Sequence, residues 1–233
     1  TNNEPIKKMF VFRGQSNQNT RWNFADIPVY LQSEIPNSFY WYGGKWEPVV
    51  ASMPTNSGAG DFCNMLNFAY LMNQAYPNEV FYYDFWCVGG TDIDYWSSPS
   101  GAGWLGGLNN YNGIAASNRT IKIECFFWLQ GETDAITTIA ANAYEGKEIQ
   151  LVSDMKENYQ DSKWITAQIT SFTGGGLPYT AIVRQAKTDN FSNNVYEGLV
   201  ETDDLALNPD GQHFTLDAQI TIGQRYFDTY QSL

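Results

Sequence analysis

The 233-residue chain carries one histidine, His213, and that scarcity excludes more than any other feature of its composition. A histidine-based metal centre needs several imidazoles, so no metal site is expected. Cysteine is almost as rare: Cys63, Cys87 and Cys125 show no C-x-x-C spacing, which supports neither a disulfide framework nor a zinc knuckle. Cys87 and Cys125 fall in strand-like runs and read as small buried thiols. Positive charge is short too, with 13 Lys and Arg against 25 Asp and Glu and a net charge of −12. Such a chain gains nothing from counterion release and repels nucleic acid and anionic membranes, so a neutral partner is expected. An anionic ligand would need a local basic contact, for which Arg13, Arg21, Lys45, Arg119 and Arg184 are the candidates. No apolar run reaches bilayer-spanning length, and the polar opening Thr1-Asn2-Asn3-Glu4-Pro5 resembles a processed terminus or a cut from a longer protein rather than a secretion signal.

What is present suits a folded domain: 43% hydrophobic and 16% aromatic residues against 16% charged. No repeat or linker divides the chain, so residues 1–233 are read as one domain. Strands are expected at 7–12, 79–88 and 119–129, with weaker candidates at 163–169 and 195–200. Between them, helical spacing links Phe62, Met65, Leu66, Ala69, Met72 and Tyr76, and again Ile136, Ile139, Ala140, Ala143, Leu151 and Met155. The last helix has the cleanest stripe, Leu216, Ile220, Gly223, Phe227 and Tyr230, behind Thr215 as N-cap. Strands alternating with helices predict an α/β fold, a mostly parallel five-stranded sheet covered on both faces. Such sheets place their sites beyond the carboxyl ends of the strands. The first three strands each end on a Gly-containing polar turn. Two aromatic-rich stretches, 17–60 and 94–113, are read as long loops whose rings, Trp22 and Trp96 among them, either stack on sugar rings or roof the core.

Acyl transfer to a serine needs a base of near-neutral pKa that can later act as an acid, and imidazole is the usual choice. Only His213 offers one. Asp210, three residues earlier in Asn208-Pro209-Asp210-Gly211-Gln212-His213, stands on a turn that can fold a carboxylate back to the ring. Ser16 follows the first strand directly, beside Gly14 and Asn17, without the G-x-S-x-G of an α/β-hydrolase elbow. Donors for a developing oxyanion are available at three strand ends: the N–H of Ser16, an N–H from Gly89 or Gly90, and the amide of Gln130. Asn17, Glu132 and Asp134 are placed behind these groups, hydrogen-bonding to the turns around Ser16. Glu132 and Asp134 could otherwise form the carboxylate pair of a glycosidase.

Four blocks, Gly14-Gln15-Ser16-Asn17, Gly89-Gly90-Thr91-Asp92-Ile93, Gln130-Gly131-Glu132-Thr133-Asp134-Ala135 and Asp210-Gly211-Gln212-His213, together resemble the SGNH hydrolases. More narrowly they resemble the sialate O-acetylesterase and carbohydrate esterase family 6 branch, as do Gly44-Lys45-Trp46-Glu47-Pro48 and Trp96. The resemblance implies a three-layer α/β/α, flavodoxin-like fold and removal of acetyl groups from the sugar hydroxyls of an acetylated carbohydrate, with no metal or cofactor. It implies Ser16 as nucleophile, His213 as base, Asp210 as its partner, and Gly89 or Gly90 with Gln130 in the oxyanion hole. Gln18-Asn19-Thr20 departs from the methionine and small residues common after the nucleophile. The rival readings are a non-catalytic carbohydrate-binding domain on the same fold and an esterase for a non-sugar ester. An extracellular, periplasmic or virion setting fits the acidic surface and scarce cysteine.

Overall fold

The computed structural model describes residues 6–20, 22–56, 58–59, 64–117 and 120–233. Among the described residues nine strands run in chain order: β1 (Lys7–Gly14), β2 (Ser38–Tyr42), β3 (Lys45–Pro48), β4 (Pro54–Thr55), β5 (Gly58–Ala59), β6 (Phe81–Cys87), β7 (Ile121–Leu129), β8 (Lys163–Ala167) and β9 (Gly198–Val200). Six helices join them: α1 (Asn64–Ala75), α2 (Ile93–Trp96), α3 (Ala102–Ser117), α4 (Thr138–Asn158), α5 (Thr180–Ser192) and α6 (Leu216–Ser232). Seven of the strands make one sheet in the order β3-β2-β6-β1-β7-β8-β9, while β4 and β5 pair separately. Every neighbour contact in the large sheet is parallel except that of β3, the edge strand, with β2.

Alternation along the central strands divides the interior in two. Phe10 and Phe12 of β1, with Cys125, Phe127 and Leu129 of β7, face α1 and α6. Met9 and Val11, with Phe126 and Trp128, face the side covered by α2 to α5. Side chains on successive strand residues point to opposite faces, so near-continuous apolar runs such as KKMFVF belong to a sheet buried on both sides. The result is the expected three-layer α/β/α sandwich.

Several expectations need correction. The sheet has seven strands rather than five, because residues 38–48 fold as the hairpin β2–β3 and not as a loop. Gly43 and Gly44 both have positive φ (59° and 85°), which is what a two-residue hairpin turn demands, and they stand between alternating aromatics. Residues 94–113 are likewise mostly α2 and α3, with Trp104 and Tyr111 buried in the core. The helix after β7 begins later than its apolar spacing suggested: Ile136 and Ile139 are exposed, and the buried face of α4 is Ala141, Tyr144, Glu148, Leu151, Val152 and Met155. Helix α6 starts as expected, with Thr215 Oγ1 accepting from Ala218 N at 3.3 Å as its N-cap, but its buried face is Ala218, Gln219, Ile222, Gly223 and Tyr226, and Leu216, Ile220, Phe227 and Tyr230 flank it half-buried. Cys87 and Cys125 are buried, as expected; Cys63 and Phe62 lie outside the described residues. Among the described residues no helix is long and apolar enough to cross a membrane.

Candidate active site

Gly14 closes β1 with φ +146°, and a Cβ there would stand 2.1 Å from Leu129 O, so only glycine lets the end of β1 lie this close to β7. The chain then turns through a short 3₁₀ segment, Ser16–Gln18, anchored by Gln15 N donating to Leu129 O at 3.0 Å. This lifts Ser16 to the rim at the carboxyl end of the sheet. From the other end of the chain, residues 206–215 come back as a narrow loop closed by Asn208 N donating to His213 O at 2.7 Å and by a bridge between Leu207 and Phe214. Within it Asp210 Oδ1 accepts the N–H groups of Gln212 (2.9 Å) and His213 (3.0 Å), with Gly211 at φ +70°. The three sequence-predicted residues meet here.

His213 Nδ1 lies 2.8 Å from Asp210 Oδ2, and His213 Nε2 lies 2.9 Å from Ser16 Oγ. A carboxylate only accepts, so Nδ1 carries the proton and Nε2 is left to accept from the serine hydroxyl. Desolvation raises the Asp210 pKa, but the N–H groups of His213 and Gln212 and the imidazole outweigh it and bring the carboxyl down to about 2. Asp210 is thus an anion at neutral pH. The pocket over Ser16 is open, about 420 Å³, and is lined by Ser16, Asn19, Thr20, Gly89, Asn208, Asp210 and His213.

Gly89 approaches Ser16 closely: a Cβ on it would be 3.5 Å from the serine Cβ. The backbone N–H groups of Ser16 and Gly89 have no hydrogen-bond partner among the described residues. Gly90, at φ +69°, makes the turn and does not line the pocket. Gln130 requires a correction. It is fully buried, and its amide donates to Asp134 Oδ2 (2.6 Å) and Thr91 O (2.9 Å), with Gln15 Oε1 at 3.3 Å. Both amide hydrogens are therefore engaged within the protein, and the geometry offers none to an oxyanion. Gln130 instead ties the segment after Gly89-Gly90 to β7.

Asn17, Glu132 and Asp134 lie behind the pocket as expected. Asn17 Nδ2 donates to Glu132 Oε1 (2.5 Å) and Gln212 O (3.0 Å), and its Oδ1 accepts Phe214 N (3.0 Å). Asp134 accepts Ile93 N at 3.0 Å, holding the start of α2 beside the glycine turn. Burial pushes the Glu132 pKa up and that of Asp134 to about 6, against the lowering pull of their hydrogen bonds. Both carboxyls are buried and neither reaches the pocket, which removes the glycosidase reading. The substrate-binding assignments to Trp96 and Trp22 are also corrected. Trp96 is fully buried, packs edge-to-face on Trp128, and donates its indole N–H to Thr91 Oγ1 at 3.0 Å. Trp22 is half-buried against the core and is absent from the pocket wall.

Of the candidate cationic contacts, Arg13 is buried in an ion pair with Asp84 (2.5 Å), Lys45 pairs with Glu47 on the edge hairpin, and Arg184 pairs with Asp203 and Glu201. Arg21 and Arg119 lie outside the described residues. Asn19, Thr20 and Asn208 were missed on the pocket wall, although their places beside Ser16 and Asp210 were the signal. Gln219 was missed too: from α6 it donates to Asn17 O (2.8 Å) and Thr20 Oγ1 (3.0 Å), bracing the serine turn.

The folds of solved proteins agree with this architecture. A protein of Arabidopsis thaliana superposes with TM-score 0.81 at 20% identity, over 98% of this chain and 99% of that one. NanS superposes at 0.72 and 13% identity, over 98% of both chains. A carbohydrate acetylesterase from Xanthomonas citri gives 0.70 at 19% identity, over 96% of this chain and 55% of that one. No curated protein sequence matches. The sequence family described as carbohydrate esterase, sialic acid-specific acetylesterase matches residues 6–232. By that match the chain belongs to the sialic acid-specific acetylesterase family of carbohydrate esterases, serine hydrolases that act on acetyl esters.

Proposed function

We propose that the protein removes O-acetyl groups from the hydroxyls of a glycan by two-step acyl transfer, with residues 1–233 acting as one catalytic domain. The observation that carries this reading is the chain of contacts Asp210 Oδ2–His213–Ser16 Oγ at 2.8 and 2.9 Å, opening on a pocket. Ser16 Oγ attacks the acetyl carbonyl carbon as its proton passes to His213 Nε2. The oxyanion is held by the N–H groups of Ser16 and Gly89, while Gln130 and Asp134 position the Gly89 turn. The carbon–oxygen bond to the sugar then breaks, and the sugar oxygen takes the proton from Nε2. Water, deprotonated by the same nitrogen, attacks the acetyl-serine and releases acetate, restoring Ser16. Asp210 stays ionised throughout and stabilises the imidazolium.

Retention of all three groups in hydrogen-bonding geometry favours catalysis over a binding-only role. A glycan substrate is supported by the family and by the names of similar folds, the Xanthomonas carbohydrate acetylesterase among them. An extracellular, periplasmic or virion setting suits an enzyme of surface polysaccharides with this acidic composition. The test is covalent labelling with a fluorophosphonate followed by peptide mass spectrometry. Modification at Ser16, abolished by His213→Ala, is expected; labelling elsewhere, or none in folded protein, would refute the mechanism.

A further inference from the structure

The edge of the large sheet contains a gap. Strand β2 pairs with β6 only from Ser38↔Phe81 to Tyr40↔Tyr83, although β6 continues to Cys87. Beyond that point the pairing resumes from a side chain: Asn56 Nδ2 donates to Cys87 O at 2.9 Å, and Asn56 Oδ1 accepts Cys87 N at 3.0 Å, as a neighbouring strand would. Phe81 N donates toward β2, to Asn37 O, and Cys87 N toward Asn56. Alternate residues of a strand direct their backbone groups to the same neighbour, so the main-chain N–H and C=O of Phe85 face the gap, where the register with β2 has already ended. The gap is a cavity of about 170 Å³ walled by Trp41, Tyr42 and Trp86, with Asn110 on α3 at its side. Asn110 donates to Asp84 Oδ1 at 2.6 Å, which leaves its amide oxygen as an acceptor.

We infer that this crevice is a sugar-ring subsite, which takes a pyranose of the same glycan that presents its acetyl group to Ser16. The lining fits the chemistry of a sugar. Indole and phenol groups suit its C–H faces, and a strand edge beyond the end of its ladder, with an amide oxygen beside it, suits its hydroxyls. Among the described residues the wall carries no charge, in keeping with a neutral ring. The position fits as well. The crevice lies at the same carboxyl end of the sheet as Ser16, one to two strand spacings away, roughly 5–10 Å. The two pockets also share a partition, since Asn19 on the wall of the serine pocket donates to Thr55 Oγ1 on the wall of the crevice at 3.5 Å. The inference rests on the carbohydrate-esterase reading and adds to it a preference for oligosaccharides over single sugars.

The test compares kcat/KM on p-nitrophenyl acetate with that on acetylated oligosaccharides of xylose, mannose and N-acetylglucosamine, in wild type and Tyr42→Ala. Tyr42 stands exposed at the edge, so its truncation leaves the buried wall in place. The oligosaccharide-to-aryl-ester ratio for the preferred sugar should fall about tenfold in the variant. In parallel, the unacetylated oligosaccharides are titrated into the wild type while the indole N–H resonances of Trp41 and Trp86 are followed by NMR; both should shift. An unchanged ratio, or indoles that none of the sugars moves, overturns the subsite. Absence of any ester hydrolysis by the wild type would instead fail the esterase reading, and the indole titration then decides the crevice by itself.

Discussion

Asn17 holds His213 from both sides, donating to the carbonyl of Gln212 and accepting the N–H of Phe214, each at 3.0 Å. The residue after the nucleophile thus fixes the loop that carries the base, and Glu132 fixes Asn17 in turn at 2.5 Å. Asn17→Ala should lower kcat by about 100-fold with a smaller change in KM, because the imidazole loses its alignment to Ser16 Oγ. Steady-state kinetics on variant protein shown to be folded by circular dichroism checks this; a kcat close to that of the wild type would remove Asn17 from the positioning of the base.

Asp210 gives a pH-dependent prediction. Its carboxyl, though raised by desolvation, is brought to about 2 by its hydrogen bonds, below the ordinary 3.8. A depressed carboxyl pKa contributes stability that is present above the unfolded value and lost as pH falls through the folded one. The part of the stability difference between wild type and Asp210→Asn that comes from this carboxyl should therefore shrink from about pH 4 towards about pH 2. Half-exposure of the carboxylate keeps that difference small. Urea denaturation across the range measures it. In activity the same variant should lose about 10⁴ in kcat, since the imidazole is then freed to take the wrong tautomer.

Behind Gln130 runs a buried polar chain. Tyr144 Oη lies 2.9 Å from Gln130 O and 3.2 Å from Glu148 Oε1, and Glu148 pairs at 3.0 Å with Lys187, both side chains fully buried. Lys187→Met should destabilise the fold by about 3–5 kcal/mol by stranding the Glu148 charge, and a second change, Glu148→Leu, should restore most of that loss. A single variant as stable as the double one would contradict the pairing.

Gly14→Ala tests the backbone of the nucleophile turn. The added methyl would meet Leu129 O at 2.1 Å at a φ of +146°, so a destabilisation of about 3 kcal/mol is expected in urea unfolding. An alanine variant of unchanged stability would show that β1 and β7 can separate there.

The parts of this molecule readable from sequence are those where one physical signal dominated. Apolar runs such as 121–129 announce strands buried on both faces, and Gly14, Gly89 and Gly131 mark the turns at their ends. Ser16, Asp210 and His213 were legible because a single histidine leaves one choice of base. The hairpin 38–48 was missed because its aromatic content suggested a ligand and hid the Gly43-Gly44 turn. The same bias put Trp96 in the substrate site, whereas its ring is core and its indole N–H serves Thr91. Gln130 shows a further limit: a polar residue at a strand end looks the same in sequence whether its amide faces the pocket or the interior. Only the buried partners Asp134 and Thr91 decide which.

The most direct test of the account is acetate release from p-nitrophenyl acetate and from an acetylated polysaccharide, measured for wild type and Ser16→Ala side by side. Turnover of both esters by the wild type, with loss of nearly all activity in the variant, is the predicted result. Equal rates from the two proteins, or no release by folded wild type, would contradict it.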